Sequence, residues 1–137
     1  MFELHPRLAA DCIPLLDWPL SKVLLMNDSR FPWLILVPAR EQVRELYELT
    51  PVDQQQFLRE SVVLGKTLMA LYQGHKLNVA ALGNMVPQLH IHHIVRFETD
   101  ACWPSPVWGQ GRAEPYSTEA AQSCKVRLIS ALQGAFA

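Results

Sequence analysis

Two short runs, Ser21–Met26 (SKVLLM) and Trp33–Val37 (WLILV), are apolar at almost every position and are separated only by Asn27-Asp28-Ser29-Arg30-Phe31-Pro32. Runs of five or six such residues are too short for a buried helix and are the right length for strands. A polar connection ending in proline turns the second run back beside the first, which predicts a hairpin. Strands this apolar belong to a sheet covered on at least one face, and Pro38, which lacks an N–H, closes the second of them. Whatever else the chain does, it must supply elements to cover that sheet.

The helical cover is legible downstream. Thr50 is a cap residue, Pro51 suits the first helical position, and Asp53 stands three residues after the cap in a box-like arrangement. Phe57, Ser61, Leu64, Leu68 and Leu71 then recur at spacings of three and four, drawing one stripe along a helix that runs to about Gln73, with Gly74 ending it. Lys76–Leu82 reads as a third strand and Gln88–Arg96 as a fourth, joined by Gly83-Asn84-Met85-Val86-Pro87. Asp100–Tyr116, rich in proline and glycine, reads as an ordered loop, with Trp103 and Trp108 as packing anchors or pocket walls. A last helix covers Glu119–Leu132 and stops at Gly134. The expectation is a single α+β domain over residues 1–137, an antiparallel sheet packed with two main helices.

Composition agrees and narrows the function classes. The chain has 137 residues, 50% hydrophobic and 18% charged, enough apolar surface for one core. Twelve Lys and Arg against thirteen Asp and Glu give a net charge of −1, without a basic run that could follow a phosphate backbone. Extended nucleic acid is therefore not the expected partner, whereas a small phosphorylated ligand needs only a few donors. Cys12, Cys102 and Cys124 are odd in number and widely spaced, which does not support a disulfide framework. No apolar run is long enough for a membrane span, and MFELHPRLAADC lacks the form of an export leader, so a cytoplasmic protein is expected.

Three of the five histidines fall within four residues: His90, His92 and His93. In an extended strand alternate side chains share a face, so Gln88, His90 and His92 converge on one side while Leu89, Ile91 and His93 point to the other. Imidazole is largely neutral near pH 7 and can serve as nucleophile, base or ligand without large retuning. A single strand histidine is more often a hydrogen-bonded structural residue, the reading kept for His93, His5 and His75. Two on one face beside an amide and a Gly-Asn turn point instead to a site.

The run Gln88-Leu89-His90-Ile91-His92-His93-Ile94 resembles the histidine triad (HIT) motif, His-φ-His-φ-His-φ-φ with φ apolar. The resemblance extends to Leu24-Leu25-Met26-Asn27, to Trp33–Pro38, to Leu46–Thr50 before a helix, and to Trp103-Pro104 after the motif, roughly residues 20 to 110. It implies a HIT-like fold and chemistry at the α-phosphate of a nucleotide conjugate, such as a dinucleoside polyphosphate or a nucleoside phosphoramidate. His90 matches the nucleophile, and His92 the histidine that bonds phosphate oxygens, in protonated form if it is to balance their charge. Asn27 matches a ribose contact and Asn84 a phosphate contact. Met85 stands where many members carry a phosphate-holding Ser or Thr, and Trp103 is a further substrate-side candidate. A homodimer with a continuous sheet is implied, and no metal or cofactor is needed.

Three positions depart from the pattern: Gln88 replaces the first triad histidine, Trp33 a supporting histidine, and Met85 the hydroxyl residue. If the two histidines form one hydrogen-bonded unit in the family, Gln88 and Trp33 together constitute a repacked support, with Gln88 orienting an imidazole but unable to carry a proton. The same losses favour the alternative of a nucleotide-binding HIT-like protein without turnover. A second alternative is a cupin-like metal protein, since Gly83, His90, His92 and Glu98 loosely imitate that ligand spacing, although the long capped helix is foreign to such a barrel.

Overall fold

The apolar runs pair as the hairpin requires. In the computed structural model, which describes residues 1–136, five strands form one antiparallel sheet: β1 (Cys12–Asp17), β2 (Ser21–Met26), β3 (Trp33–Pro38), β4 (Lys76–Ala80) and β5 (Ile91–Arg96). Their order is β1-β2-β3-β5-β4. Three helices accompany them, the short α1 (Pro6–Asp11) and the two main helices α2 (Pro51–Tyr72) and α3 (Thr118–Leu132). The architecture is the expected α+β one.

The Thr50 hydroxyl accepts from the Asp53 N–H at 3.2 Å and so caps α2. Asp53 does not complete a capping box, because its carboxylate pairs with Arg40 at 2.7 Å instead. Phe57, Leu64 and Leu68 bury the α2 stripe against Leu25, Leu34, Leu36, Ile91 and Val95 of the sheet, and Leu128 and Leu132 of α3 join the same core. At the far end of α2 it is Gln73, with φ +51°, that takes the left-handed conformation, one residue before Gly74. Gly74 is needed for space: a Cβ there would lie 2.4 Å from Val95 Cγ1.

The opposite face of the sheet has no helix of comparable length. Leu24, Trp33, Ile35, Val37 and Ile94 are covered there by Leu8 of α1, by Phe31, Val86 and Val107, and by Phe2 and Leu4 of the amino-terminal arm. Helix α1 starts at His5, whose Nδ1 accepts from the Arg7 N–H, and β1 follows it directly. β1 is an edge strand interrupted by Pro14 and by a register shift between Pro14 and Leu16. The fourth expected strand is shorter than read: β5 begins at Ile91, and residues 88–90 lie outside the ladder, with the Leu89 N–H on the Val43 carbonyl at 3.0 Å. β4 likewise stops at Ala80.

Candidate active site

β5 is flanked by β3 and β4, which makes it a rigid mount. His92 lies opposite Ile35 on one side and Ala80 on the other. The alternation read from the sequence holds along it: Ile91, His93 and Val95 face the helices, while His92, Ile94 and Arg96 face the other side.

The two neighbouring imidazoles are held in opposite protonation patterns. Trp33 Nε1 donates to His92 Nδ1 at 3.0 Å. An indole N–H can only donate, so Nδ1 accepts and the neutral ring carries its proton on Nε2. His90 Nδ1 instead lies 2.7 Å from the Gln88 backbone carbonyl. A carbonyl can only accept, so this Nδ1 carries the hydrogen and Nε2 keeps a lone pair. The ring centroids are 5.1 Å apart, and both side chains are buried.

Burial first, and then the proximity of His90 and His93, holds His92 down at about 3. The expectation of a protonated His92 is thereby corrected, since the Trp33 N–H occupies the nitrogen that a second proton would need. His92 therefore presents a neutral N–H on Nε2. His93, on the helix side, bonds the Ser61 hydroxyl through Nε2 at 2.7 Å and the Ile91 carbonyl through Nδ1 at 3.1 Å. It is a structural residue, as its face predicted.

Gln88 does not orient an imidazole with its side chain. Its Nε2 donates to the Glu3 carbonyl and its Oε1 accepts from the His5 N–H, both at 2.8 Å, while its backbone carbonyl serves His90. Gln88 and Trp33 therefore do not form one unit. They support different histidines, Trp33 holding His92 and Gln88 holding His90.

The other sequence candidates are more scattered. Asn27 Oδ1 accepts from the Tyr116 N–H at 2.9 Å, and the residue lines a depression of about 340 Å³ with Ile13, Thr118, Gln122 and Lys125, beside the start of α3. Asn84 lines another depression of about 340 Å³ with Arg44, Glu45, Tyr47, Leu82, Gly83 and Pro87 in the turn that leads to Gln88. Met85, 78% exposed, protrudes from the same turn. Trp103 packs edge-on against His75 at 5.1 Å and beside the guanidinium of Arg96 at 5.6 Å, a residue four positions along β5 from His92. Trp108, for which packing and pocket-lining were both open readings, is the tryptophan beside the two histidines, with its ring 5.1 Å from His92 and 5.9 Å from Trp33.

The loop carrying both tryptophans is held by an ion pair that the sequence did not reveal. Arg96 and Asp100 are both buried and joined by two hydrogen bonds of 2.8 and 3.0 Å, and Asn78 takes a third Arg96 donor. Burial alone would raise the Asp100 pKa. Arg96 and the N–H groups of Phe97, Cys102 and Trp103 outweigh it and hold the carboxyl well below the usual range. An arginine followed four residues later by an aspartate is too common a pattern to have marked it. Among the described residues no group of three or more His, Cys, Asp and Glu side chains is placed to hold a metal ion, and the open sheet is not the closed barrel of the cupin reading.

Comparison with known proteins places the chain in a family and matches its fold. The family model described as HIT domain matches residues 8–99. A histidine triad protein from Marinobacter aquaeolei VT8 has a solved structure that superposes with a TM-score of 0.96 at 52% identity, covering 100% of this chain and 99% of that one. A histidine triad protein from Bradyrhizobium japonicum gives a TM-score of 0.90 at 42% identity, over 99% of this chain and 98% of that one. One from Sinorhizobium meliloti 1021 gives 0.92 at 44% identity, over 96% and 97%. No match was found among the curated proteins. With its motif leading into β5, an inner strand of the sheet, and these relatives matching over nearly its whole length, the chain belongs to the histidine triad family.

Proposed function

We propose that this protein hydrolyses or transfers at the α-phosphate of nucleotide conjugates, such as dinucleoside polyphosphates or nucleoside phosphoramidates, with His90 as nucleophile. The observation that carries the reading is the pair of opposite tautomers. His90 presents a lone pair on Nε2, and His92 beside it presents an N–H.

His90 Nε2 attacks the α-phosphorus. A P–N bond forms, the bond from phosphorus to the leaving group breaks, and that group departs with the electron pair. The ring becomes cationic in the process, and its Nδ1–H, already on the Gln88 carbonyl, shares the charge with an acceptor dipole. His92 donates to a phosphoryl oxygen without adding a second cation. Water or another acceptor then attacks phosphorus and gives up its proton to the departed group or to solvent, the P–N bond breaks with its electron pair returning to Nε2, and His90 is regenerated. Asn84, in the turn before Gln88, is the proposed phosphate-side contact, with Met85 next to it. Asn27 and Trp103 are the other proposed substrate contacts, each set apart from the histidine pair among partners of its own.

We further infer a homodimer formed through β4. The sheet has two outer edges, and they differ: β1 is guarded by Pro14 and a bulge, whereas β4 has neither. Beside β4 an apolar depression of about 380 Å³ is lined by Val62, Gly65, Met69, Leu77 and Val79.

The decisive experiment incubates the protein with diadenosine polyphosphates and adenosine phosphoramidates, with and without chelator, and quenches rapidly to trap a nucleotidyl adduct. The expected result is chelator-resistant turnover, an adduct mapped to His90, and loss of both in His90→Ala. Binding without turnover would leave a nucleotide-binding protein, and turnover lost on chelation would point to a metal.

A further inference from the structure

Gln88 occupies the position of the family's first triad histidine, yet both atoms of its amide are committed to the amino-terminal arm. We propose that the Gln88 side chain and the backbone of Glu3 and His5 form a clamp that positions the His90 ring; the clamp's catalytic meaning rests on the reading of His90 as nucleophile.

The geometry is that of a strand rung made by a side chain. Glu3 and His5 are two residues apart, so an extended chain presents the carbonyl of one and the N–H of the other on the same side. A planar amide offers a parallel acceptor and donor to match them. A histidine could not do so, because its N–H and lone pair diverge across the ring. The arm is itself anchored, since Phe2 and Leu4 pack on the cluster containing Trp33, Ile35 and Val86.

The clamp matters because residues 88–90 have no ladder to hold them. The Gln88 carbonyl is fixed by the arm on one side and by the Leu89 N–H to the Val43 carbonyl on the other. That carbonyl is the partner of His90 Nδ1, so its position sets which nitrogen of His90 carries the lone pair. A freed carbonyl lets the ring exchange tautomers and turn its protonated nitrogen toward the substrate.

The test separates the arm from the chemistry. His5→Pro deletes the N–H that bonds Gln88 Oε1, at a residue whose φ of −54° proline accepts. His5→Ala keeps that N–H and loses only the side-chain cap on Arg7. In the full chain, nitrogen-15 NMR of the His90 ring shows one tautomer in the parent and in His5→Ala, and two in His5→Pro and Gln88→Ala. With adenosine phosphoramidate as substrate, kcat falls about tenfold in the latter two while KM changes little. The double variant is no slower than Gln88→Ala, because His5→Pro removes one of the two bonds that Gln88→Ala already removes. An unchanged His90 spectrum in both variants, or additive losses in the double variant, overturns the clamp. If the parent does not turn over but its His90 spectrum responds to Gln88→Ala, the clamp stands and the hydrolase reading falls.

Discussion

His93 shows how far a single residue can be read before its surroundings are known. Strand alternation placed it opposite His90 and His92, and the structure finds it fully buried with both ring nitrogens bonded. What alternation could not supply is Ser61, a partner on another element. Burial holds the His93 imidazole down at about 4, and His92 at about 3, against 6.5 for an unperturbed imidazole. Both rings are thus neutral in the fold while the unfolded chain takes up protons, so their contribution to stability is complete above pH 6.5 and is lost as the pH falls toward 4 and below. For His93 alone the loss is of the order of 3 kcal/mol. Urea unfolding should weaken progressively from pH 7 to pH 4.5, and His93→Gln, which takes up no proton, should flatten part of that slope. An equal slope in the variant would refute this assignment. Trp33 carries the complementary lesson: the sequence marked it as a replaced histidine, but its role as donor to His92 required two strands in register.

Elements with strong local signals were legible nearly to the residue. The β2–β3 hairpin and the Thr50-capped α2 depend on contiguous patterns of apolar residues, caps and prolines. β1 was not legible, because Pro14 and the bulge break its alternation and only pairing with β2 makes it a strand. The start of β5 was misplaced because residues 88–90 keep a strand-like pattern while bonding to other partners. The loop after β5 owes its order to Arg96 and Asp100, and through it Trp108 reaches His92. Asp100→Ala leaves a buried guanidinium without its partner and three backbone N–H groups without their acceptor. It should destabilise the protein by about 3 kcal/mol and release Trp108, read as a shift in tryptophan fluorescence. A loss below about 1 kcal/mol would mean that the ion pair does not hold the loop.

At the scale of the whole molecule, no helix among the described residues is long and apolar enough to cross a membrane, and the three cysteines are free. The proposed dimer places β4 and Val79, itself 50% exposed, against a second copy. Sedimentation of the purified protein should give twice the chain mass, and Val79→Lys should shift it toward the monomer by placing a charge in the apolar contact. A monomeric parent protein at micromolar concentration would remove the dimer from the proposal.

What the sequence determined by itself is everything set by neighbours along the chain: the hairpin, the capped helix, the face on which His90 and His92 stand, and the family motif. Only the tertiary structure decided the protonation pattern of those histidines, because it depends on an indole from β3 and on a carbonyl held by the amino-terminal arm. Periodicity records which way a side chain points. Which partner it meets there is set by elements 59 residues away in the case of Trp33 and 83 in the case of His5, and no local pattern encodes those distances.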